Sequence, residues 1–304
     1  MPLINTVTLA GAGGFGSLVL DELLRAGLDV TVLSRSSSSS DKQFPPGTKL
    51  KHVDYSDVDS LAEAVTGADV VISTVRGALD SQENLIRASA KAGVKLFVPA
   101  EFGNPSTKIT SKDHPVLYRK HLAHDLMKEV GLPALLVFNG AFLDVLWSPF
   151  LGFDFAHGKV NLVGQGNTPV SLTARRDVAR FLAHYLVSPS SSGGLGAFPP
   201  AGEPAILRIE GDKKTFRQAA ETYARVHGVE MEYEFTRVED AERVAKDVEV
   251  DVARSMSRYM LLKWERGAPV DEGKGEGALD NKRWPEWKPI SLEEFFKEEA
   301  GVKA

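Results

Sequence analysis

Cysteine is missing from all 304 residues, which excludes disulfides, thiolate chemistry and cysteine-ligated zinc together. Basic blocks dense enough to follow a phosphate backbone are missing too. Lys and Arg number 36 against 41 Asp and Glu, a net charge of -5, so nucleic acid is not an expected direct ligand. The longest apolar stretch, LPALLVFNGAFLDVLW, is broken by Asn139, Gly140 and Asp144 and is too short to span a bilayer. The opening MPLINTVTLAGAGG lacks the basic start, apolar core and cleavage site of a secretory signal and reads as an immediate β-strand. A soluble, cytoplasmic protein is therefore expected, with no repeat period visible. What is present is 43% hydrophobic content, enough for a real core in one large or two modest domains.

From residue 6 to about 138, short β-rich runs alternate with helix-like segments. The runs TVTLA, VTVLS, LKHVD, VVISTV, KLFVP and ALLVF are too continuously apolar for a sheet with one wet face. They predict an α/β protein: a Rossmann-type, doubly wound parallel sheet over residues 1–150, covered by helices on both sides. Helices are expected from about Gly16 to Ala26, stopped by Gly27, and from about Ser81 to Ala92. Residues 151–304 read as a smaller α/β substrate domain, with the amphipathic stretch near 170–190 packing back on the first domain. One or two further helices are expected between 239 and 267. SSSSS at 36 to 40 and SPSSSGGLG at 188 to 196 read as loose polar connections.

LAGAGGFGS places Gly11, Gly13 and Gly16 in a GxGxxG arrangement directly between a strand and a helix, the context that gives the motif its meaning. Gly11 permits a tight turn, Gly13 lets a pyrophosphate approach the backbone, and Gly16 lets the helix pack on the strand. Free N-H groups at the helix start then face the anion. A flavin or mononucleotide shares this reading with a nicotinamide dinucleotide. The end of the second strand bears on the choice. Proteins that use NAD usually place a carboxylate there, whereas this chain has Ser34 and Arg35. A guanidinium can hold a 2'-phosphate with two charge-assisted bonds, which favours NADP(H), and Lys42 offers a second positive charge.

HPVLYRKHLAHDL, residues 114 to 126, predicts a helix from about 115 to 130. Asp113 or His114 can cap it, Pro115 suits its first turn, and Leu122, Leu126, Met127 and Val130 form an inward stripe. Short-chain dehydrogenases set a tyrosine four residues before a lysine so that both share a helical face. Here Tyr118 precedes Lys120 by two, about 200° around the helix, and Val116 fills the position four before. Any proton chemistry rests on Lys120 without the tyrosine. His124, one turn on, can share its face, whereas His114, His121 and His124 do not converge as metal ligands.

Taken in order, AGAGGFGS, the strand-end SR, NLIRASAKAGVKLFVPAEFGNP and a lysine eleven residues before GLP resemble the NmrA-like, atypical short-chain dehydrogenase/reductases. That group includes the isoflavone reductases and phenylcoumaran benzylic ether reductases, and the resemblance runs through NKRWPEWKPISLEEFF. It implies that the loop Ala10, Gly11, Ala12, Gly13, Gly14, Phe15 and Gly16 holds the pyrophosphate, although the family has glycine where this chain has Ala10. It places Arg35 on the 2'-phosphate with Lys42 as its helper, and Thr74 beside the cofactor. Phe142 falls near the nicotinamide, and Lys120 is the catalytic lysine. Ala100 replaces the serine of the family's PSEFG segment. The implied activity is NADPH-dependent hydride transfer to a small aromatic, enone or quinone-like substrate. Burial of Lys120 beside an apolar ring would suit it to proton transfer. Trp147, Phe150, Phe153 and Phe155 offer a wall for an aromatic substrate, although ordinary core is the favoured reading for any one of them. The alternative is a non-catalytic NADP(H)-sensing regulator that binds a protein partner; a homodimer stays open under either reading.

Overall fold

The computed structural model describes residues 3–35, 43–75, 79–249, 251–270 and 278–301. The first half alternates β1 (Thr6–Ala10), α1 (Gly14–Arg25), β2 (Asp29–Arg35), β3 (Lys49–Val53), α2 (Val58–Val65), β4 (Val70–Ser73), α3 (Leu79–Lys91), β5 (Leu96–Val98), α4 (Pro115–Glu129) and β6 (Leu135–Phe138). Five of the strands form a parallel sheet in the order β3-β2-β1-β4-β5. A bridge from Phe97 to Ala134 carries the sheet from β5 to β6.

The continuously apolar strands are explained by two cores, one on each face. Because side chains alternate along a strand, Leu9, Val32, Ile72, Val98 and Val137 enter the core beneath α1. Their neighbours Ala10, Leu33, Val71, Phe97 and Phe138 enter the opposite core, beneath α2, α3 and α4. Neither face of the sheet is wet except along its edge strand β3, where Lys49, Leu50, Lys51 and His52 are exposed, and this is the doubly wound arrangement.

The chain continues through β7 (Ala141–Phe142), β8 (Phe153–Asp154), β9 (Lys159–Val163), β10 (Pro169–Thr173), α5 (Arg175–Val187), β11 (Ala205–Arg208), β12 (Asp212–Thr215), α6 (Phe216–His227), β13 (Glu232–Thr236), α7 (Val238–Lys246), α8 (Val252–Glu265) and α9 (Leu292–Glu299). Two elements from this half return to the first sheet. β11 pairs parallel with β6, and α5 packs on α1, burying Val178, Phe181, Leu182 and Leu186 in the core they share. The rest builds two three-stranded sheets, β12-β10-β7 and β13-β9-β8, around a third core with α6, α7, α8 and α9.

Trp147, Phe153 and Phe155 take the core reading: they pack on one another and on Phe216 and Phe296 as the third core, while Phe150 is exposed. SPSSSGGLG is not the loose connection expected of it. Gly194 N donates to Pro189 O and Leu195 N to Tyr185 O, and a side chain on Gly193 or Gly194 would run into the Arg283 or Ser188 backbone.

Asp69, just before β4, ties down the first strand. One of its oxygens accepts from Asn5 N, Thr6 N and Thr6 Oγ1, and the other from Lys95 Nζ. Burial works against charge there, but Lys95 and the Asn5 and Thr6 hydrogen bonds outweigh it and hold the carboxyl down at about 2, from an ordinary 3.8. A carboxylate with a depressed folded-state pKa contributes stability fully above its unfolded value and loses it as pH falls through the folded one. Native protein is therefore expected to lose this contribution between about pH 4 and 2. Thermal unfolding of Asp69→Ala should show a lower Tm at pH 7, with the gap from native closing as the pH approaches 2. A gap that stays constant across that range would assign the loss to packing alone.

Candidate active site

The turn between β1 and α1 is closed by backbone geometry that only glycine allows at two points. Gly11 has φ +88°, and a Cβ on Gly16 would meet Gly11 O far inside van der Waals contact. Thr74, after β4, braces the loop: its hydroxyl donates to Gly11 O and also lies 3.2 Å from Ala10 O. A Cβ at Gly13, by contrast, would meet nothing within 4 Å. Gly13 is the N-cap of α1 and makes no side-chain capping bond, so the first-turn N-H groups are left for an anion.

This loop forms the floor of a cleft of about 1000 Å³ that runs along the carboxyl ends of the strands. Gly11, Ala12, Gly13, Gly14, Phe15, Gly16, Arg35, Thr74 and Phe142 all line it. Ala10 does not; it is fully buried in the sheet below. At one end, Arg35 and Ser34 from β2 stand beside Leu50 and His52 of β3, brought level by the register Ser34 to His52, with Phe44 and Tyr55 adjoining. Burial pushes the Tyr55 phenol up to about 12, against the opposing charge of Arg35. Lys42 lies outside the described residues. At the other end, Phe15 packs against Phe102 and Phe142 with ring centroids 4.8 and 5.1 Å away. Among the described residues, Phe102 is the non-glycine residue with positive φ, +32°, and this turn presents the preceding residue, Glu101, to the helix behind the cleft.

α4 stands at that end. Of the two capping residues weighed from the sequence, His114 takes the position, accepting from Val116 N. Its other ring nitrogen lies 3.1 Å from Ser255 Oγ of α8. Burial lowers the pKa of this imidazole. Asp113 turns instead to Tyr259 and Lys263 of α8; burial opposes its charge, but these partners and Thr110 N hold its carboxyl well below the usual range. Leu126 and Met127 are buried as the stripe requires, whereas Leu122 is 39% exposed, its inward place taken by Ala123. Tyr118 stacks on His121, away from Lys120.

Lys120 Nζ donates to Glu101 O at 2.6 Å and lies 3.5 Å from Glu101 Oε2. His124 Nε2 is 2.7 Å from Glu101 Oε1, and Ser106 Oγ donates to Oε2 at 2.7 Å. Glu101 is thus a hub for three side chains, although its residue is only 3% exposed. Burial pushes its pKa up, but Lys120, then His124 and Ser106, outweigh it and hold the carboxyl at about 2. The apolar ring expected beside Lys120 is replaced by this carboxylate. PAEFG by itself gives Glu101 no role; an acidic residue just past an otherwise apolar strand was the available signal.

Arg175, at the start of α5, was also missed. Asp144 accepts from its backbone N at 3.0 Å and its Nε at 2.7 Å, and this aims Nη1 to within 3.1 Å of where a Gly14 side chain would begin. A cation therefore closes over the helix N-terminus from the far side of the cleft. Nothing in ARRD announces this, since the partner is 31 residues away and only the packing of α5 on α1 brings it there.

A parallel sheet wound on both sides, with a glycine turn opening into a cleft at its carboxyl edge, is a Rossmann-type α/β protein. The NmrA-like family model matches residues 5–296, and the chain belongs to the NmrA-like family. It is 32% identical over 200 residues to the oxidoreductase aprR of Aspergillus flavus, covering 62% of this chain and 66% of that one. To the isoflavone reductase homolog of Solanum tuberosum it is 30% identical over 201 residues, covering 60% and 64%. The matched region thus spans just under two thirds of these curated relatives. Among solved structures, AtPrR2 with NADP+ and (+)pinoresinol superposes with a TM-score of 0.79 at 20% identity, covering 97% of this chain and 98% of that one. The leucoanthocyanidin reductase–NADPH complex from Vitis vinifera gives 0.79 at 18%, covering 97% and 99%. No helix among the described residues is long and apolar enough to cross a membrane.

Proposed function

We propose that the chain is an NADPH-dependent reductase of a small aromatic, enone or quinone-like compound, with Lys120 assisting the proton movement. The observation that carries this reading is the hydrogen bond of Lys120 Nζ to Glu101 O, because Glu101 is itself a wall of the cleft that the glycine loop opens. A proton donor is thereby held against the back of that wall, although Lys120 itself is not among the residues that line the cleft. The names of the relatives, oxidoreductase and isoflavone reductase homolog, support the same reaction class.

The residues fit the cofactor. Gly13 leaves open space where a pyrophosphate must approach, the first-turn N-H groups of α1 face it, and Arg175 adds a positive charge above them. Arg35 and Ser34 take the 2'-phosphate end. Phe15, Phe102 and Phe142 exclude water where the nicotinamide would rest. When bound, NADPH supplies the hydride. Lys120 then gives a proton from Nζ to the substrate oxygen on which the electron pair settles.

The test is NADPH oxidation followed at 340 nm against a panel of quinones, enones and phenylpropanoids. Turnover of at least one class is expected. Tight NADPH binding with no turnover across the panel would instead favour a cofactor-sensing regulator.

A further inference from the structure

We propose that His124 is a positioning residue for Lys120: acting through the buried carboxylate of Glu101, its protonation sets how readily Lys120 releases its proton. The inference rests on the reductase reading for its consequence, although the coupling itself stands on geometry.

Lys120 and His124 lie one turn apart on α4 and meet the same carboxylate from two sides. The Glu101 side chain is 1% exposed, those of Lys120 and His124 23% and 12%, so solvent reaches the two proton carriers but not the group between them. A carboxylate only accepts, so His124 Nε2 carries the hydrogen in their contact. Several charged neighbours meet partners of their own. On α4, His121 lies near Asp125 and its ring is 6.4 Å from that of His124; from α3, Glu83 holds Arg119. From the loop that carries Glu101, Ser106 adds a neutral donor.

With His124 neutral, one ammonium faces one carboxylate and their charges match. With His124 protonated, the same buried carboxylate is shared by two cations. Release of the Lys120 proton then relieves repulsion that was absent before. In the reduction, the hydride forms the new C-H bond and the displaced electron pair settles on the substrate oxygen. That oxygen takes the Nζ proton, and the neutral amine is recharged from solvent. Protonation of His124 favours that donation, and by reciprocity the charge on Lys120 opposes protonation of His124.

The coupling is read by NMR titration of the histidine ring signals of the full chain, with the His124 signal assigned by its loss in His124→Gln. In Lys120→Met the His124 titration is expected to move to higher pH by about one unit, because a neighbouring cation is gone. In Glu101→Gln it is expected to move to lower pH. A His124 titration that does not move in Lys120→Met overturns the proposal, whether or not Glu101→Gln folds.

Kinetics on a substrate from the panel give the second arm. His124→Arg, permanently charged, is expected to keep the acid-side kcat at alkaline pH, and His124→Gln to keep the alkaline-side kcat at acid pH. A merely structural histidine would instead leave both variants slower with the native pH profile, and that result also overturns it. NADPH affinity should change less than twofold in either variant. If the native protein turned over no substrate, the reductase reading would fail while the NMR coupling still decided this one.

Discussion

Lys120→Ala is expected to lower turnover by about 10²- to 10⁴-fold, the range a positioned proton donor contributes, with NADPH affinity retained. Affinity should survive because Lys120 touches the back of the cleft wall, at Glu101 O, whereas the glycine loop and Arg35 lie elsewhere along the cleft. The variant will also pay a folding cost, since Glu101 loses one of the groups that compensate its buried charge. His124 and Ser106 remain on the carboxylate, so the fold should persist with a lower Tm. Lys120→Arg separates the two effects. A guanidinium restores the charge facing Glu101 but does not give up a proton, so stability should return without turnover. Activity that survives in either variant on a verified substrate would remove Lys120 from the chemistry.

Arg35→Glu is expected to weaken NADPH by about 100-fold while leaving NADH within a few-fold, because a charge-assisted phosphate contact is worth about 1.5 to 3 kcal/mol. Arg35 ends β2 at the rim of the cleft and is exposed, so reversing its charge should cost the fold little. Cofactor fluorescence titrations with both nucleotides check this. Equal affinities for NADPH and NADH in both native and variant protein would mean that the 2'-phosphate is not read here.

Much of the frame was legible because strands buried on both faces cannot alternate polar and apolar residues. Continuous apolar runs between helical segments therefore announced a parallel sheet, LKHVD being the exception because its strand β3 lies at the exposed edge. The start of α1 and the end of β2 were equally plain, since a glycine turn and the residue after a strand are local matters. The aromatic cluster stayed open between wall and core for a physical reason: Trp147, Phe153 and Phe155 have the chemistry of either, and only their contacts with Phe216 and Phe296 distinguish the two. Leu122 failed for a related reason. Helical spacing defines a stripe but not how wide a groove waits for it, and α4 buries Ala123 instead.

Helical geometry alone excluded the Tyr118 and Lys120 pair, because residues two positions apart cannot share a face at 3.6 per turn. It also put His124 on the face of Lys120. What joins them was decided by tertiary structure: the strained turn at Phe102 carries Glu101 from β5 to α4, 19 residues from Lys120 and 23 from His124. Arg175 reaches the cleft in the same way, by the packing of one helix on another. The sequence by itself determined the sheet, the phosphate loop and the face of a helix, each set by neighbours along the chain. The surroundings of the proton donor are long-range and electrostatic, and a buried carboxylate acquires its partners only when the chain has closed around it.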